Sequence, residues 1–301
     1  MIPPISIVTP SYQQGRFIER TILSVLGQNI DSLEHLVFYG GSRDETVEIL
    51  RRYEDRLHWV SERDRGQTDA VNKGIRQSTA QIIGWLNSDD VYYPGALARV
   101  LEAFEQHPEA DVIYGKAHHI DIDDGVIEEY PTEPWDPDRL RNVCFICQPA
   151  LFFRRSVVER FGELDESFDY CMDYEYWIRL SQGGARFYYL EEFLAGSRLY
   201  ADTKTLGSRV KVHAQINDML KYRLGEVPIP WIFNYAHAVV DQRGVPRTHR
   251  FAYSWQVAFA SWAASLRWSG NVPAEVRRTT WKWVRDNSLG AIHWRGGRDS
   301  R

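Results

Sequence analysis

The chain has 301 residues, 44% hydrophobic and 26% charged, a composition typical of a folded protein with one large domain or one domain plus an appendage. Its formal net charge of −5 argues against nucleic-acid binding, because an acidic surface repels phosphates. Three cysteines exclude a disulfide framework, and the lack of an eighteen-residue apolar run excludes a membrane-spanning helix.

The first part of the chain, up to about residue 115, alternates predicted strands with predicted helices. The strands are short apolar runs at Ile5–Val8, Leu36–Phe38, Leu57–Val60 and Ile82–Leu86. Apolar residues that recur every three or four positions predict helices over Phe17–Leu26, about Thr68–Gln77, and after Pro94. This alternation predicts an α/β fold with a mainly parallel sheet flanked by helices.

The pattern changes after Asp111–Tyr114 to short strands, loops and two helices, up to about residue 205. A long helix is predicted from Leu206 to about Leu224, and a tail rich in tryptophan follows it. We therefore expect a domain over residues 1–205 and a helical extension over residues 206–301. Reduced thiols, and a first strand that leaves no room for a signal peptide, predict a cytoplasmic protein.

Polar side chains follow three of the predicted strands. These segments are Thr9–Gly15, Tyr39–Ser42 and Asn87–Asp90. Parallel strands end at one edge of the sheet, where open α/β sheets bind ligands. Hydroxyls, glycines and helix N-termini can donate hydrogen bonds to a nucleotide, whereas carboxylates repel its phosphates unless a divalent cation bridges them. The segments predict a nucleotide site with Mg²⁺ or Mn²⁺, and a solvated turn with an aspartate helix cap is the alternative.

Five segments, in this order, resemble the motifs of family 2 glycosyltransferases. They are Val8–Tyr12, Gly40–Asp44, Asp64–Gly74, Leu86–Asp90 and Met172–Leu180. The resemblance covers residues 5–205 and implies the GT-A fold, with a nucleotide-binding half over residues 1–115 and a catalytic, acceptor-binding half over residues 116–205. It also implies an inverting, metal-dependent enzyme that uses a UDP-, GDP- or dTDP-linked sugar as donor.

The resemblance assigns roles to individual residues. Asp173 matches the general base that removes the proton from the acceptor hydroxyl, and Asp89, with Asp90 beside it, matches the metal-binding carboxylate. The positions that match donor nucleotide contacts are Thr9, Pro10, Ser11, Tyr12, Tyr39, Asp69, Lys73, Asn87 and Ser88. The structural alternative for Asp173 is a helix N-cap, because the residues after it are predicted to be helical.

Four positions depart from the family pattern. Tyr39 stands where the family usually has an aspartate that bonds the nucleobase; a tyrosine can stack on a base or donate one hydrogen bond. Asn87 replaces an acid, and Met172 replaces a second acid that is common before Asp173. Tyr200 stands near the place where many relatives carry a metal-binding histidine, which implies fewer protein ligands for the cation.

Two other clusters have a metal or redox interpretation that we consider less favourable. Cys144 and Cys147 have suitable spacing, but no second pair completes a zinc site, so burial as small apolar side chains is favoured. His118–His119 precede Asp121 after a predicted strand, where a solvated strand end and turn is favoured over a metal site. Gln148, before Pro149, is a candidate for the acceptor side.

The tail is basic and aromatic. Residues 243–301 carry eleven basic and three acidic side chains, a net charge of +8 against −13 for the rest, and contain six of the 11 tryptophans. One predicted helix has an apolar stripe of Trp255, Phe259, Trp262 and Leu266, and a second has an aromatic cluster at Trp281–Val284. Each helix packs on the body or on another subunit, or lies on an anionic membrane surface. We favour packing for the first helix and the membrane for the second.

The sequence as a whole predicts a glycosyltransferase that transfers one sugar to a hydroxyl of a glycan or lipid-linked glycan acceptor, in cell-surface polysaccharide synthesis by resemblance. The absence of the Gln-x-x-Arg-Trp motif of polymerising synthases favours single transfer. A non-catalytic nucleotide-sugar-binding module is one alternative, suggested by Tyr39, Asn87 and Met172. A sugar-nucleotide pyrophosphorylase is the other, and it is disfavoured because Thr9–Gly15 lacks a glycine-rich, arginine-containing loop.

Overall fold

The structure is a computed structural model that describes residues 4–41, 44–200, 203 and 207–295. It divides into two compact units. One comprises Met1–Leu140 and Cys144–Ala201, and the other comprises Arg141–Val143 and Asp202–Arg301. The domain boundaries expected from the sequence stay predictions.

The first unit begins with regular alternation of strands and helices. Its elements up to the acidic motif are β1 (Ile5–Ser11), α1 (Gly15–Leu26), β2 (Glu34–Tyr39), α2 (Thr46–Arg52), β3 (His58–Ser61), α3 (Gln67–Gln77) and β4 (Ile82–Trp85). After the motif come β5 (Val91–Tyr92), α4 (Ala96–Gln106), β6 (Val112–Ile120), β7 (Val126–Glu129), α5 (Pro137–Asn142), a 3₁₀ turn (Gln148–Ala150), β8 (Leu151–Arg154), α6 (Arg155–Phe161), α7 (Met172–Gln182) and β9 (Phe187–Arg198).

The strands form one sheet in the order β3-β2-β1-β4-β8-β6-β9-β5, with β7 beside β6. The first four strands in this order are parallel, as the alternation of elements predicts. The sheet then becomes mixed, because β8 runs antiparallel to β4 and β6, whereas β9 runs parallel to β6. Ser11 at the end of β1 lies opposite Tyr39 at the end of β2, so the carboxyl ends of the first strands meet at one edge. The expected α/β sheet flanked by helices is confirmed.

The sheet is buried by helices that approach it closely. An apolar cluster that includes Ile5, Val100 and Phe104 fills one region, and another includes Ile22 and Leu50. At Gly74 of α3, an added Cβ atom would lie 2.2 Å from Cγ1 of Val8 in β1. Any larger residue would push α3 off the sheet, so glycine is required at this position.

The second unit is helical in its described residues. Its main helices are α8 (Arg209–Leu224), α9 (Ile229–Gln242), α10 (Arg250–Ser269) and α11 (Ala274–Arg295). Leu206, the predicted start of α8, lies outside the described residues. Val240 of α9 and Tyr253 and Val257 of α10 share an apolar cluster, and Trp262 donates a 3.0 Å hydrogen bond from Nε1 to Thr280 Oγ1 of α11. Within the described ranges, no helix is both long and apolar enough to cross a bilayer.

The face of α10 that packs is not the one the sequence suggests. The buried side includes Tyr253, Val257 and Trp268, which lie on the opposite side of the helix from the predicted stripe. Phe259 and Leu266 of the stripe are 60% and 57% exposed. Helical periodicity therefore identified the helix, but its most aromatic face is left at the surface.

Candidate active site

Two side chains at the end of β1 are candidates for contact with a ligand. The hydroxyl of Ser11 is buried and has no hydrogen-bond partner within the part of the chain that the structure describes. Tyr12 follows the strand and is 60% exposed. The backbone then turns sharply, because Gln13 has φ of 53°, a left-handed conformation that is uncommon for residues other than glycine. A buried unpaired hydroxyl beside an exposed aromatic ring suits a bound nucleoside.

Three of the positions expected to contact the donor are buried in the core. Thr9 is fully buried and its Oγ1 lies 3.0 Å from Nε2 of His35. Tyr39 is 3% exposed and belongs to the apolar cluster of α1 and α2. Pro10 is buried in the ladder opposite Phe38. The donor contacts of Thr9, Pro10 and Tyr39 stay predictions, and the stacking of Tyr39 on a nucleobase would require the ring to leave the core.

The turn after β2 is shaped by glycines and by a carboxylate from the loop after β3. Gly41 has φ of +79°, which favours glycine. At Gly40 an added Cβ atom would lie 2.5 Å from Oδ2 of Asp64, so any side chain would displace this carboxylate. Ser42 and Arg43 of the same motif lie outside the described residues. Asp44 accepts hydrogen bonds from the backbone of Gly15 at 2.8 Å and from the Thr46 hydroxyl at 2.6 Å.

Asp69 and Lys73 form an ion pair on α3. The carboxylate of Asp69 is buried and accepts hydrogen bonds from the backbone and side chain of Arg65, both at 3.0 Å. Lys73 Nζ lies 3.3 Å from Asp69 Oδ2 and donates to the carbonyl of Arg63. Burial raises the pKa of Asp69, but the Arg65 and Lys73 contacts outweigh it and lower the pKa overall. Asp69 therefore fixes the loop before α3 and anchors the lysine.

The side-chain amide of Asn87 is fully hydrogen-bonded. Its Oδ1 accepts from Gln67 Nε2 at 2.7 Å and from Trp85 Nε1 at 2.9 Å. Its Nδ2 donates to Gln148 Oε1 at 2.9 Å and to Asp90 Oδ2 at 3.2 Å. Trp85 Nε1 can only donate, which fixes the orientation of the amide. Asn87 thus holds the turn together, and it has no remaining capacity for a metal or a nucleotide.

Asp90 is held inside the protein, and Ser88 is buried in the same turn. Asp90 Oδ1 accepts the backbone N–H of Arg198 at 2.8 Å, and Oδ2 accepts from Asn87. The Asp90 carbonyl accepts the hydroxyl of Thr21 at 2.7 Å. Burial and the neighbouring charge of Asp89 raise the pKa of Asp90. Asp90 therefore ties the turn to β9 and α1.

Asp89 is the carboxylate of this motif that remains partly exposed. Its Oδ2 accepts a 2.9 Å hydrogen bond from the hydroxyl of Tyr200, and Gln14 Nε2 donates to that hydroxyl at 3.2 Å. Burial raises the pKa of Asp89, while the Tyr200 hydrogen bond opposes the rise. Burial and the charge of Asp89 raise the pKa of Tyr200 to about 12, so the phenol is neutral and donates. Tyr200 thereby links the turn after β1 to the acidic motif.

Arg198 at the end of β9 supports the motif from behind. Its side chain is fully buried, with Nε donating to the Asp89 carbonyl at 2.7 Å and the guanidinium bonding the carbonyl of Asp121 and the carboxylate of Asp124. The guanidinium also lies 4.8 Å from the ring centroid of Phe17. A buried arginine with this many partners fixes the backbone of the motif and adds positive charge beneath it.

Asp173 lies in the first turn of α7, whose N-cap position belongs to Cys171. Its Oδ1 accepts the backbone N–H of Tyr174 at 2.7 Å. Burial raises the pKa of Asp173, and this hydrogen bond opposes the rise. Burial raises the pKa of the Cys147 thiol, and the negative charges of Asp90 and Asp173 raise it further.

The described residues offer a cation a single carboxylate rather than a cage. Nowhere in these residues do three His, Cys, Asp or Glu side chains converge on one point, and this applies to His118–His119 and Cys144–Cys147 as well. Of the two predicted ligands, Asp89 is partly exposed and Asp90 is buried. One carboxylate suffices for Mg²⁺ or Mn²⁺ only if substrate phosphates and water complete the coordination. The residues therefore fit a cation that arrives with a diphosphate.

Three residues of the site were not predicted from the sequence or were predicted to have another role. Gln67 and Gln148 bond Asn87, and Gln148 also donates to the Trp85 carbonyl at 2.6 Å. Arg198 carried a detectable signal, because an arginine at the end of an apolar strand must find partners if it is buried. The two glutamines carried none, since their partner lies 20 and 61 positions away.

Comparisons with known proteins identify the family of this chain. The family model "Glycosyl transferase family 2" matches residues 6–162. An uncharacterized glycosyltransferase of Rickettsia prowazekii is 27% identical over 217 residues, which are 67% of this chain and 66% of that protein. The chain spans about half to two thirds of the length of several such relatives.

Two solved structures share the fold. Staphylococcus aureus TarS 1-349 in complex with UDP-GlcNAc has a TM-score of 0.61 at 14% identity, covering 100% of this chain and 93% of that chain. The mannosyltransferase PcManGT of Pyrobaculum calidifontis, in complex with GDP-Man and Mn²⁺, has a TM-score of 0.58 at 16% identity, covering 97% and 88%. At these identities the likeness establishes the GT-A fold alone.

Proposed function

The chain belongs to glycosyl transferase family 2 and is a glycosyltransferase, and from this premise we propose that it transfers one sugar, with inversion, from a nucleotide-sugar donor to an acceptor hydroxyl. The observation that carries the proposal is the chain of hydrogen bonds from Gln14 through Tyr200 to Asp89, which joins the turn after β1 to the acidic motif after β4. Asp89 lies on the turn after β4, and Asp173 lies in the first turn of α7. One carboxylate then serves the leaving group and the other serves the nucleophile.

Asp173 acts as the general base in this proposal. The oxygen of the acceptor hydroxyl attacks the anomeric carbon, its proton passes to Asp173, and the bond between that carbon and the diphosphate oxygen breaks. The raised pKa of Asp173 suits this role, because a stronger base accepts the proton more readily. The N–H of Tyr174 holds the carboxylate in place.

The donor lies at the carboxyl ends of β1 and β4. Tyr12 is available to stack on the base, the unpaired Ser11 hydroxyl is available to the nucleoside, and Asp89 serves the diphosphate through a divalent cation. Mg²⁺ or Mn²⁺ would neutralise the charge that develops on the departing diphosphate. Asn87, Asp90 and Arg198 hold the motif in position without touching the donor. The Mn²⁺ and nucleotide sugars in the two solved neighbours support this assignment.

We place the acceptor among glycans and lipid-linked glycans, in the assembly of cell-surface polysaccharide at the cytoplasmic face of a membrane. The second unit supports a membrane contact through what we call the aromatic surface. This surface comprises Phe251, Trp255, Phe259 and Trp262 of α10 and Trp281 of α11. Phe259 and Trp281 are 60% and 59% exposed. Exposed apolar patches on a protein surface mark sites that bind other proteins or membranes.

Basic side chains on the same helices complement an anionic lipid surface. They are Arg250 of α10 and Arg277, Arg278 and Lys282 of α11, all exposed. Aromatic rings that lie at the headgroup level, flanked by cations, are the pattern of helices that rest on a bilayer without crossing it. Phosphatidylglycerol-rich vesicles are therefore the partner that fits.

A direct assay tests the proposal. Purified protein is incubated with UDP-, GDP- and dTDP-sugars, Mn²⁺ and glycan acceptors, and free nucleoside diphosphate and glycosylated product are measured together. One donor should give both products in equal amount. Tight donor binding without any product, across the acceptors, would favour the non-catalytic binding module instead.

A further inference from the structure

A cavity of about 320 Å³ lies within the second unit, among residues that sugar transfer does not use. It is lined by Arg209 and His213 of α8, Asn234 and His237 of α9, and Arg247 of the connection that follows α9. Arg209 and His213 lie one turn apart on α8, and Asn234 and His237 lie one turn apart on α9. Each pair therefore projects from one face of its own helix. The volume lies in the range of small-molecule sites.

The cavity carries more positive charge than it neutralises internally. Arg209 Nη1 and Arg247 Nη2 lie 3.2 Å and 2.7 Å from the same oxygen, Oδ2 of Asp241. Tyr253 also donates to Asp241 at 2.8 Å, and these contacts lower the pKa of Asp241 to about 2. One carboxylate cannot neutralise two guanidinium groups. The side chains of Arg209 and Arg247 are 44% and 65% exposed, so their remaining N–H groups are accessible.

The two histidines of the lining have lowered pKa values and are neutral near pH 7. Burial, followed by the charge of Arg209, lowers the pKa of His213 to about 4. Burial and Arg247 likewise lower the pKa of His237, against a smaller opposing effect of Asp241. Each neutral imidazole carries one N–H donor. That of His237 is on Nδ1 and donates to the Tyr253 hydroxyl at 3.1 Å, because this hydroxyl gives its own proton to Asp241. An anion in the cavity would favour protonation of both rings and would gain two further positive charges.

We propose that this cavity is a second ligand site, which binds a phosphate-bearing group. Among the described residues, its lining consists of two arginines, two histidines and an asparagine, and the Asp241 carboxylate lies beside the two arginines. A guanidinium fork matches two oxygens of a phosphate, and His213 and the Asn234 amide supply further donors. The ligand is either a phosphate ester in solution or the headgroup of a phosphorylated lipid, which share this chemistry. The proposal is independent of the donor site.

Thermal unfolding with added ligand tests the site and separates the two sources. Inorganic phosphate, a soluble sugar phosphate and a short-chain prenyl phosphate in neutral micelles are each titrated at constant ionic strength. A ligand that binds only the folded protein raises its melting temperature in a saturable way, from which the Kd follows. Saturation by the soluble ester assigns a free ligand, and saturation by the prenyl phosphate alone assigns a lipid headgroup; both outcomes support the proposal.

Two variants tie the binding to the cavity. Arg209→Gln and Asn234→Leu each remove a donor from the lining and should weaken binding about tenfold or more. Arg243→Gln, an exposed arginine that does not line the cavity, is the matched control and should bind as the unchanged protein does. Asp89→Asn should also leave this binding unchanged, which excludes binding at the donor site. The proposal is overturned if no ligand gives a saturable shift, or if Arg209→Gln and Asn234→Leu bind with unchanged Kd.

Discussion

The hydroxyl of Tyr200 donates a 2.9 Å hydrogen bond to Oδ2 of Asp89, and this contact joins the segment after β9 to the partly exposed carboxylate of the acidic motif. Tyr200 thus orients the carboxylate from a place where family 2 enzymes often carry a metal-binding histidine. A neutral phenol adds no ligand of its own. We infer that the protein relies on Asp89 and the substrate phosphates for the cation, with Tyr200 as a positioning residue.

Removal of the Tyr200 hydroxyl should loosen this carboxylate. A hydrogen bond to a charged group contributes about 1.5–3 kcal/mol, so Tyr200→Phe should weaken Mn²⁺ binding in the presence of nucleotide roughly tenfold or more. Nucleotide binding in the presence of a chelator should not change. Calorimetric titration of Mn²⁺ measures both, with Tyr222→Phe, an exposed tyrosine of α8, as the control. Equal Mn²⁺ affinity in Tyr200→Phe would remove Tyr200 from the site.

Replacement of Asn87 by aspartate, the acid that the family pattern favours, should destabilise the protein. In Asn87→Asp an oxygen would replace Nδ2 and face two acceptors, Gln148 Oε1 and Asp90 Oδ2. The unmade hydrogen bonds and the added charge beside Asp90 should lower the free energy of unfolding by about 1–3 kcal/mol. Urea unfolding measures this change. Asn29→Asp, at an exposed position, provides the control, and equal losses in the two variants would contradict the network.

Acid should destabilise the fold through His35. Burial lowers the pKa of His35 to about 3, whereas an unfolded histidine titrates near 6.5. The unfolded state therefore binds a proton that the native state rejects, and stability falls as the pH drops below about 6.5. For this residue the loss between pH 7 and pH 5 is about 2 kcal/mol.

The effect of pH on unfolding can be separated from the packing of this side chain. His35→Asn should flatten the dependence of the urea midpoint on pH between 7 and 5, even if the variant is less stable at both values. His58→Asn, at an exposed position, should keep the slope of the unchanged protein. A slope in His35→Asn equal to that of the unchanged protein would show that His35 takes up its proton in the native state.

The aromatic surface should bind anionic lipid. Phe259→Ser with Trp281→Ala removes two exposed rings and should weaken co-sedimentation with phosphatidylglycerol vesicles about tenfold or more. Binding should also fall with added salt, because the basic side chains contribute. Tyr222→Ala removes an aromatic ring that is 71% exposed elsewhere and serves as the control. Unchanged sedimentation of the double variant would exclude this surface as the membrane contact.

The sequence predicts the parallel half of the sheet well, because short apolar runs and helical periodicity are local properties. The same is true of the turn that carries Asp89. The burial of Tyr39 could also be predicted from the sequence. Side chains alternate along a strand, so Tyr39 must share a face with Val37, which packs in the same cluster. Only the family pattern suggested otherwise.

Other features depend on distant partners and have no local signal. The amide of Asn87 is bonded by Gln67 and Gln148 only after three separate segments have folded together. The face that α10 buries depends on its neighbours α9 and α11, and periodicity alone selected the more aromatic side. The basic cavity arises in the same way, from side chains of two helices and a connecting segment.

Replacement of Asp173 by asparagine tests the central claim most directly. Asparagine keeps the shape of the side chain and loses the base, so turnover with the identified donor and acceptor should fall about 10²–10⁴-fold. The affinity for nucleotide with Mn²⁺ should stay within about threefold of the unchanged protein, because Asp89 still binds the diphosphate through the cation. Turnover of Asp173→Asn equal to that of the unchanged protein would contradict the account.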